Sequence, residues 1–411
     1  MKKTPIVLAL AMAAAGGAFA QSSVTLYGIA DAGITYVNGQ EGAKTRLISG
    51  IMEGSRFGFR GNEDMGGGYR AIFTLENRLE LDTGAVSNRP PSGSRLPARF
   101  NTTAALGLPA PLQPAVSAVA AQLGAQVGVN HIAQRLFDRQ AYVGLVTPVG
   151  AVLMGRQYTP AYEVSAMFDT MHTESSLAFG QVAAFPPALE IRTDNTVAYR
   201  IQSGPFAAAL MYGLGEGSAT TGRLISANGV YRTPAFAVGL GYATRENEVG
   251  DKALTNFLVG ASAPIGPGTL HVMYVNIEDD NPGGLTPVRA ALTPSIGPVF
   301  ANAVADAFSR ALQQDANAYH IGYKVTTGPH TISVAYSRYD DRLDRDADVQ
   351  SYGAVYQYAF SKRTDVNFVL SRFDNNENAQ TAPGQACCLG GFTTEPGRDA
   401  HNVAVGIRHK F

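Results

Sequence analysis

The chain has 411 residues, 16% of them charged, with a formal net charge of −1, 45 glycines and no tryptophan. Near-balanced charge provides no basic surface for nucleic acid, and so much glycine with so little charge suits a thin shell better than a large enzyme with a solid core. The only cysteines, Cys387 and Cys388, are adjacent, which excludes a framework of long-range disulfides.

The chain begins with MKK, an apolar stretch from Ile6 to Ala15, and AFA-Q, a small-residue cleavage site after Ala20. Residues 1–20 therefore read as a secretory signal peptide, and 21–411 as one mature barrel domain. No later run reaches the roughly 18 consecutive apolar residues of a transmembrane helix. An exported chain without such a helix is either periplasmic or a barrel in the outer membrane, because in hydrocarbon only a closed sheet pairs every backbone group of a β protein.

From Ser23 onward, apolar and polar residues alternate with the period of a strand. The first segments are 23–36 and 46–61, then 69–82 after the turn NEDMGGG. A long insert at 83–135 follows, and its alanine-rich part carries Val116, Val119, Ala120 and Leu123 at helical spacing. FDRQAYVGLV, the turn TPVG and AVLMGRQY make a hairpin. A long connection, 159–191, leads to DNTVAYRIQ, and further hairpins follow with short turns such as SGPF, PIGPG and TTGPH. A second insert, 279–316, overlaps the helical stretch PVFANAVADAFSRALQQDAN, 298–317, and both inserts are expected to hold short helices packed over the mouth of the barrel, each too short to bury a core of its own.

The closing strand HNVAVGIRHKF puts Val403, Val405, Ile407 and Phe411 on one face and polar or small residues on the other. The count is about sixteen strands, with short turns and long loops alternating, as in an all-β, sixteen-stranded antiparallel transmembrane barrel. Tyr142, Tyr212, Tyr242, Tyr274, Tyr336, Tyr358 and Phe373 near strand ends suit interfacial girdles.

A pore needs a constriction, and the 159–191 connection is long enough to fold inward. It carries Glu163, Asp169, Glu174 and Glu190 among apolar anchors Met167, Phe168, Leu177 and Phe179. On the wall, parity turns Arg56 and Arg60 inward opposite Phe57 and Phe59, and placing Tyr142 outward sends Arg139 inward. Arg156 and Arg192 flank the connection. Arg78 and Glu76 share lumen parity and suit a local pair. Arginines facing loop acids would set up a transverse field, and surplus arginine favours anions. The seven histidines lack metal-ligand spacing, no nucleophile elbow or phosphate loop is present, and no cofactor or enzymatic activity is expected.

The stretches QSSVTLYGIADAGITYV, SRFGFRGNEDMGGGYRAIFTLEN, RQAYVGL, GRQYTPAY and GIRHKF occur in order along the whole mature chain. Together they resemble the general porins of Gram-negative outer membranes, particularly those of β-proteobacteria. The resemblance implies a homotrimer of sixteen-stranded barrels among outer-membrane lipid and lipopolysaccharide, with the third external loop folded into each channel. It implies that the constriction combines Arg56, Arg139, Arg156 and Arg192 with Tyr158 and Tyr162 at the loop entry, whereas the loop acids Glu163, Asp169 and Glu174, expected at the constriction from the residues alone, do not align with a motif of that family residue by residue. It also implies that Phe411 is the signal read by the barrel-assembly machinery. The inserts at 83–135 and 279–316 are longer than that family leads one to expect.

The function expected is passive diffusion of ions and small hydrophilic solutes, with mild anion preference. The alternative is an adhesion or phage-receptor protein whose long external loops carry the function.

Overall fold

The computed structural model describes residues 22–411 except 41, 43, 87–94, 126–134, 217–220 and 385–390. Residues 1–20, expected to be a signal peptide, both cysteines and His131 lie outside the described residues.

Among the described residues, seventeen strand segments form one antiparallel sheet closed on itself. They are β1 (Ser23–Asn38), β2 (Thr45–Ser49), β3 (Arg56–Gly66), β4 (Tyr69–Arg78), β5 (Gln140–Thr147), β6 (Gly150–Tyr158), β7 (Arg192–Ser203), β8 (Phe206–Gly213) and β9 (Leu224–Arg232). The rest are β10 (Ala237–Glu246), β11 (Lys252–Ile265), β12 (Gly268–Asp279), β13 (Gln314–Thr327), β14 (His330–Asp341), β15 (Val349–Ala359), β16 (Thr364–Asn375) and β17 (Ala400–Lys410). β2 and β3 pair end to end along β1, Ala32 with Ser49 and Ile29 with Arg56, so together they fill one of sixteen wall positions. β17 closes the cylinder on β1, with Ile29 opposite Lys410 and Asn38 opposite His401.

The wall alternates as the sequence predicts. Val403, Val405 and Ile407 are exposed on the outer face, and Asn402, Ala404 and Arg408 are buried on the inner face. An exposed apolar band of this kind is stable only against lipid. Phe411 exchanges two backbone hydrogen bonds with Gly28, at 3.0 and 3.1 Å, and lays its ring over that glycine, sealing the seam.

Three expectations need correction. The strand expected at 46–61 is broken: Gly50, at φ 81°, turns the chain inward, and residues 50–55 enter the lumen. Asp31 of β1 holds this inner turn by accepting from the amides of Ile51, Met52 and Glu53 at 2.8–2.9 Å. Tyr142 faces the lumen, where it accepts from Thr74 Oγ1 at 3.0 Å, while Val143 and Leu145 face outward. Phe373 is likewise buried on the inner side and does not stand in a girdle.

The inserts carry helices α1 (Gln113–Gly124) and α3 (Leu285–Leu312), the latter kinked at Gly297. Neither insert buries a core alone. Together they share one, in which Phe100, Val116, Val288 and Phe308 meet Phe392 from the last external loop. Phe185 of the 159–191 loop joins it edge-on, 5.6 Å from Phe100 and 5.4 Å from Phe392. The external cap and the inward loop are therefore packed as one body.

Candidate pore constriction

The loop 159–191 leaves β6 at Tyr158 and folds into the barrel. Thr159 caps helix α2 (Pro160–Phe168), accepting from the Tyr162 amide, with proline at the first helical position. The same hydroxyl donates to the Glu190 carbonyl at 2.5 Å and closes the neck of the loop.

The helix lies against the inner wall where three glycines stand among small and apolar side chains such as Ala237, Ala243 and Leu258. Gly239 and Gly241 of β10 and Gly260 of β11 face inward, and Phe168 packs into the space that a Cβ on Gly239 or Gly260 would need. Further on, the Thr170 amide donates to His320 Nε2 at 2.9 Å, and Ser176 Oγ donates to Asn402 Oδ1 at 3.1 Å. Leu177 and Met171 pack with Ile51 and Met52 of the inner turn. The loop therefore spans the lumen from β10 to β17.

Against the opposite wall it leaves an opening of about 220 Å³, lined by Arg56, Arg139, Arg192, Tyr158, Tyr162 and Glu163 together with Glu53, Ala166 and Thr173. Arg139 pairs with Glu76 at 2.7 Å and donates to the Tyr158 hydroxyl at 2.9 Å. Arg192 donates to the same hydroxyl at 2.8 Å, with its Cζ 4.5 Å from the Tyr158 ring centroid. Tyr162 stacks on Tyr158 at 5.5 Å. Arg56 pairs with Glu53 and lies 4.0 Å from Glu76. Both carboxylate oxygens of Glu163 accept from Arg200 Nη1, at 2.7 Å each. Arg56, Arg139, Arg192 and Arg200 thus outnumber Glu53, Glu76 and Glu163 by one charge, with Arg60 stacked on Tyr27 nearby.

Three of the four expected arginines converge. Arg156 does not line the opening: it pairs with Asp194 at 2.7 Å and donates to the Asp138 carbonyl. Among the loop acids, only Glu163 faces the arginines across the opening. Asp169 is buried and accepts from the amides of Met171, Thr173 and Phe179 at 3.0–3.1 Å, fixing a turn in which His172, Thr173 and Ser175 take positive φ. An acid just past a helix end meets backbone donors before it meets solvent.

Glu174 reaches Arg408 of β17 at 2.9 Å, a guanidinium also bound to Glu53 and Asp365. Burial, helped by the Glu53 charge, pushes the Glu174 carboxyl up to about 7 against the pull of Arg408. Burial also acts to raise Glu53, but Arg56, Lys410 and Arg408 hold it below the usual carboxylate range. Arg78 pairs with Glu80, not with Glu76.

Sequence reasoning missed Glu53 and Arg408 as tethers of the loop tip, and Arg200 as the partner of Glu163. The readable signal for Arg408 was an arginine at lumen parity in the closing strand.

A family model for Gram-negative porins matches residues 7–378. Outer membrane porin protein 32 of Delftia acidovorans is 27% identical over the full length of both chains, and an outer membrane porin protein of Bordetella pertussis is equally so. Among solved structures, the anion-selective porin from Comamonas acidovorans superposes with a TM-score of 0.68 at 22% identity, covering 95% of this chain and all of that one. OmpT of Vibrio cholerae, in its trimer form, superposes with a TM-score of 0.60 at 16% identity, covering 95% and 99%.

Proposed function

Because the chain belongs to the Gram-negative porin family, whose place is the outer membrane, we propose that it is a passive diffusion channel for ions and small hydrophilic solutes, mildly selective for anions. The observation that carries the reading is the opening between loop and wall, where Arg56, Arg139 and Arg192 converge on one side and Glu163, already matched by Arg200, stands on the other. In a narrow aqueous passage with low-dielectric walls, even one surplus cation raises the local concentration of anions over cations.

The printed description of the Comamonas acidovorans relative as anion-selective supports the same sign. The trimer form of Vibrio cholerae OmpT supports a homotrimer for this chain. On this reading residues 1–20 are removed on export, Phe411 presents the terminal aromatic to the assembly machinery, and lipopolysaccharide and lipid surround the outer band. Purified protein in liposomes tests the channel: swelling in small sugars at rates that fall with solute size supports it, and liposomes that stay as tight as protein-free ones overturn it.

A further inference from the structure

The curl of the constriction loop encloses a second space beside the opening. It is a cavity of about 110 Å³ whose lining is largely apolar, with Ala178, Ala183, Ala184, Leu189 and Ile191, and with Ser165 and Gln181 as its main polar groups. Tyr162 and Thr173 belong to both spaces. From one to the other runs a ladder of flat groups: Tyr162 stacks on Tyr158, and Arg192 lies over Tyr158. The Tyr158 hydroxyl accepts from both Arg139 and Arg192. Within three stacked groups the surroundings change from aliphatic to cationic.

An inorganic anion uses only the cationic end of this gradient, and a sugar has no use for the aliphatic end. A dicarboxylate would have to bury its second charge against alanine and leucine.

We infer that the constriction sorts carboxylates and favours monocarboxylates with a compact apolar body, of which benzoate and hexanoate are the simplest. The carboxylate sits among Arg56, Arg139 and Arg192, which are suited to planar oxyanions. The ring or chain leans on Tyr162 and enters the aliphatic cavity. A dry apolar cavity of about 150 Å³ takes a whole benzene ring, so a 110 Å³ space that adjoins the opening takes part of one. The inference rests on the reading of the chain as a diffusion channel.

Single channels in planar bilayers bathed in potassium chloride test it, with acetate, succinate, benzoate or hexanoate added and the block of chloride current recorded. Benzoate and hexanoate are expected to half-block at about tenfold lower concentration than acetate or succinate, the gain from burying about two methylene equivalents. Ala184→Phe fills the cavity and Leu189→Asn makes it polar. Both are expected to keep the chloride steps and lose most of the tenfold difference, and if one fails to fold the other decides.

Equal block by all four acids in a conducting wild-type channel overturns the inference and leaves the channel reading standing. So does a tenfold difference that survives in the folded variants. Absence of chloride steps in the wild type overturns the channel reading itself, and the inference with it.

Discussion

Phe168 fills the space that a side chain at Gly239 would occupy: a Cβ there would lie 2.5 Å from Phe168 Cε2, and one on the paired Gly260 closer still. The ring is completely buried. The inward loop thus rests in a pit made by two glycines on adjacent strands, and the position of the loop is written into the wall as well as into the loop.

Gly260→Val keeps a good strand former in the wall but evicts the Phe168 ring. Overpacking of this kind costs about 1–3 kcal/mol, and here the loop is the part free to yield. The expected outcome is a folded barrel, read by its heat-modifiable mobility on gels, with an altered single-channel conductance. Wild-type conductance in the folded variant would mean that the loop does not depend on this pit.

Arg56→Ser and Arg139→Ser are each expected to lower anion preference, read as a zero-current potential closer to zero in a salt gradient. The two differ in stability. Arg139 and Glu76 form a buried pair, so removing the arginine leaves the buried carboxylate with the Tyr27 hydroxyl at 3.0 Å and Arg56 at 4.0 Å and costs about 3 kcal/mol, whereas Arg56 is more exposed and shares its acids with other cations. Adding Glu76→Gln to Arg139→Ser is expected to recover most of the loss in thermal unfolding. A double variant no more stable than the single one would contradict the pairing.

Selectivity is also expected to depend on pH through Glu174, whose carboxyl lies at about 7 because burial and Glu53 outweigh Arg408, Lys324 and Lys410. As pH falls through that value one negative charge leaves the loop tip, so anion preference rises between about pH 8 and about pH 5.5. For stability the sign is set by the raised value. Between the ordinary carboxylate range and about 7 the folded loop holds a proton that the unfolded chain has released, so the contribution of Glu174 to stability falls as pH rises through that window. Glu174→Gln is expected to fix the low-pH selectivity at both values, and a variant still as pH-dependent as the wild type would assign the effect elsewhere.

Asp31→Ala removes an acceptor shared by three amides of the inner turn, those of Ile51 and Met52 buried and that of Glu53 partly so. Bonds to a charged acceptor are individually strong and orphaned amides are costly, so a loss of about 2–4 kcal/mol is expected in urea unfolding. Because Met52 in that turn accepts from the Ser175 amide, open-channel noise from the inward loop is expected to increase as well. Quiet channels of wild-type stability would refute that role for the turn.

The wall was legible because strands facing lipid and water have a period of two, which survives in any stretch of about ten residues. The break at Gly50 was not, because polar–apolar alternation resumes at Arg56 in the register a continuous strand would show. Tyr142 misled because an aromatic ring carrying a hydroxyl is at home on either face, and its partner Thr74 lies on another strand. Arg56, Arg139 and Arg192 could be grouped from parity and chain position alone. Asp169 could not be told from a pore-facing acid without the turn whose amides it accepts. Gly239, Gly241 and Gly260 stood in plain view at inward positions, yet without the loop in place they signify only a thin wall. The helices of the two inserts were legible from their spacing, but their common core was not, because it is shared by Val116, Phe308 and Phe392 from three distant segments, none of which has an interior of its own.

The most direct measurement is the zero-current potential of single wild-type channels in planar bilayers across a tenfold gradient of potassium chloride. Stepwise openings with a potential whose sign marks chloride as the more permeant ion are the expected result, while cation preference, or a bilayer that never opens, would contradict a channel governed by Arg56, Arg139 and Arg192.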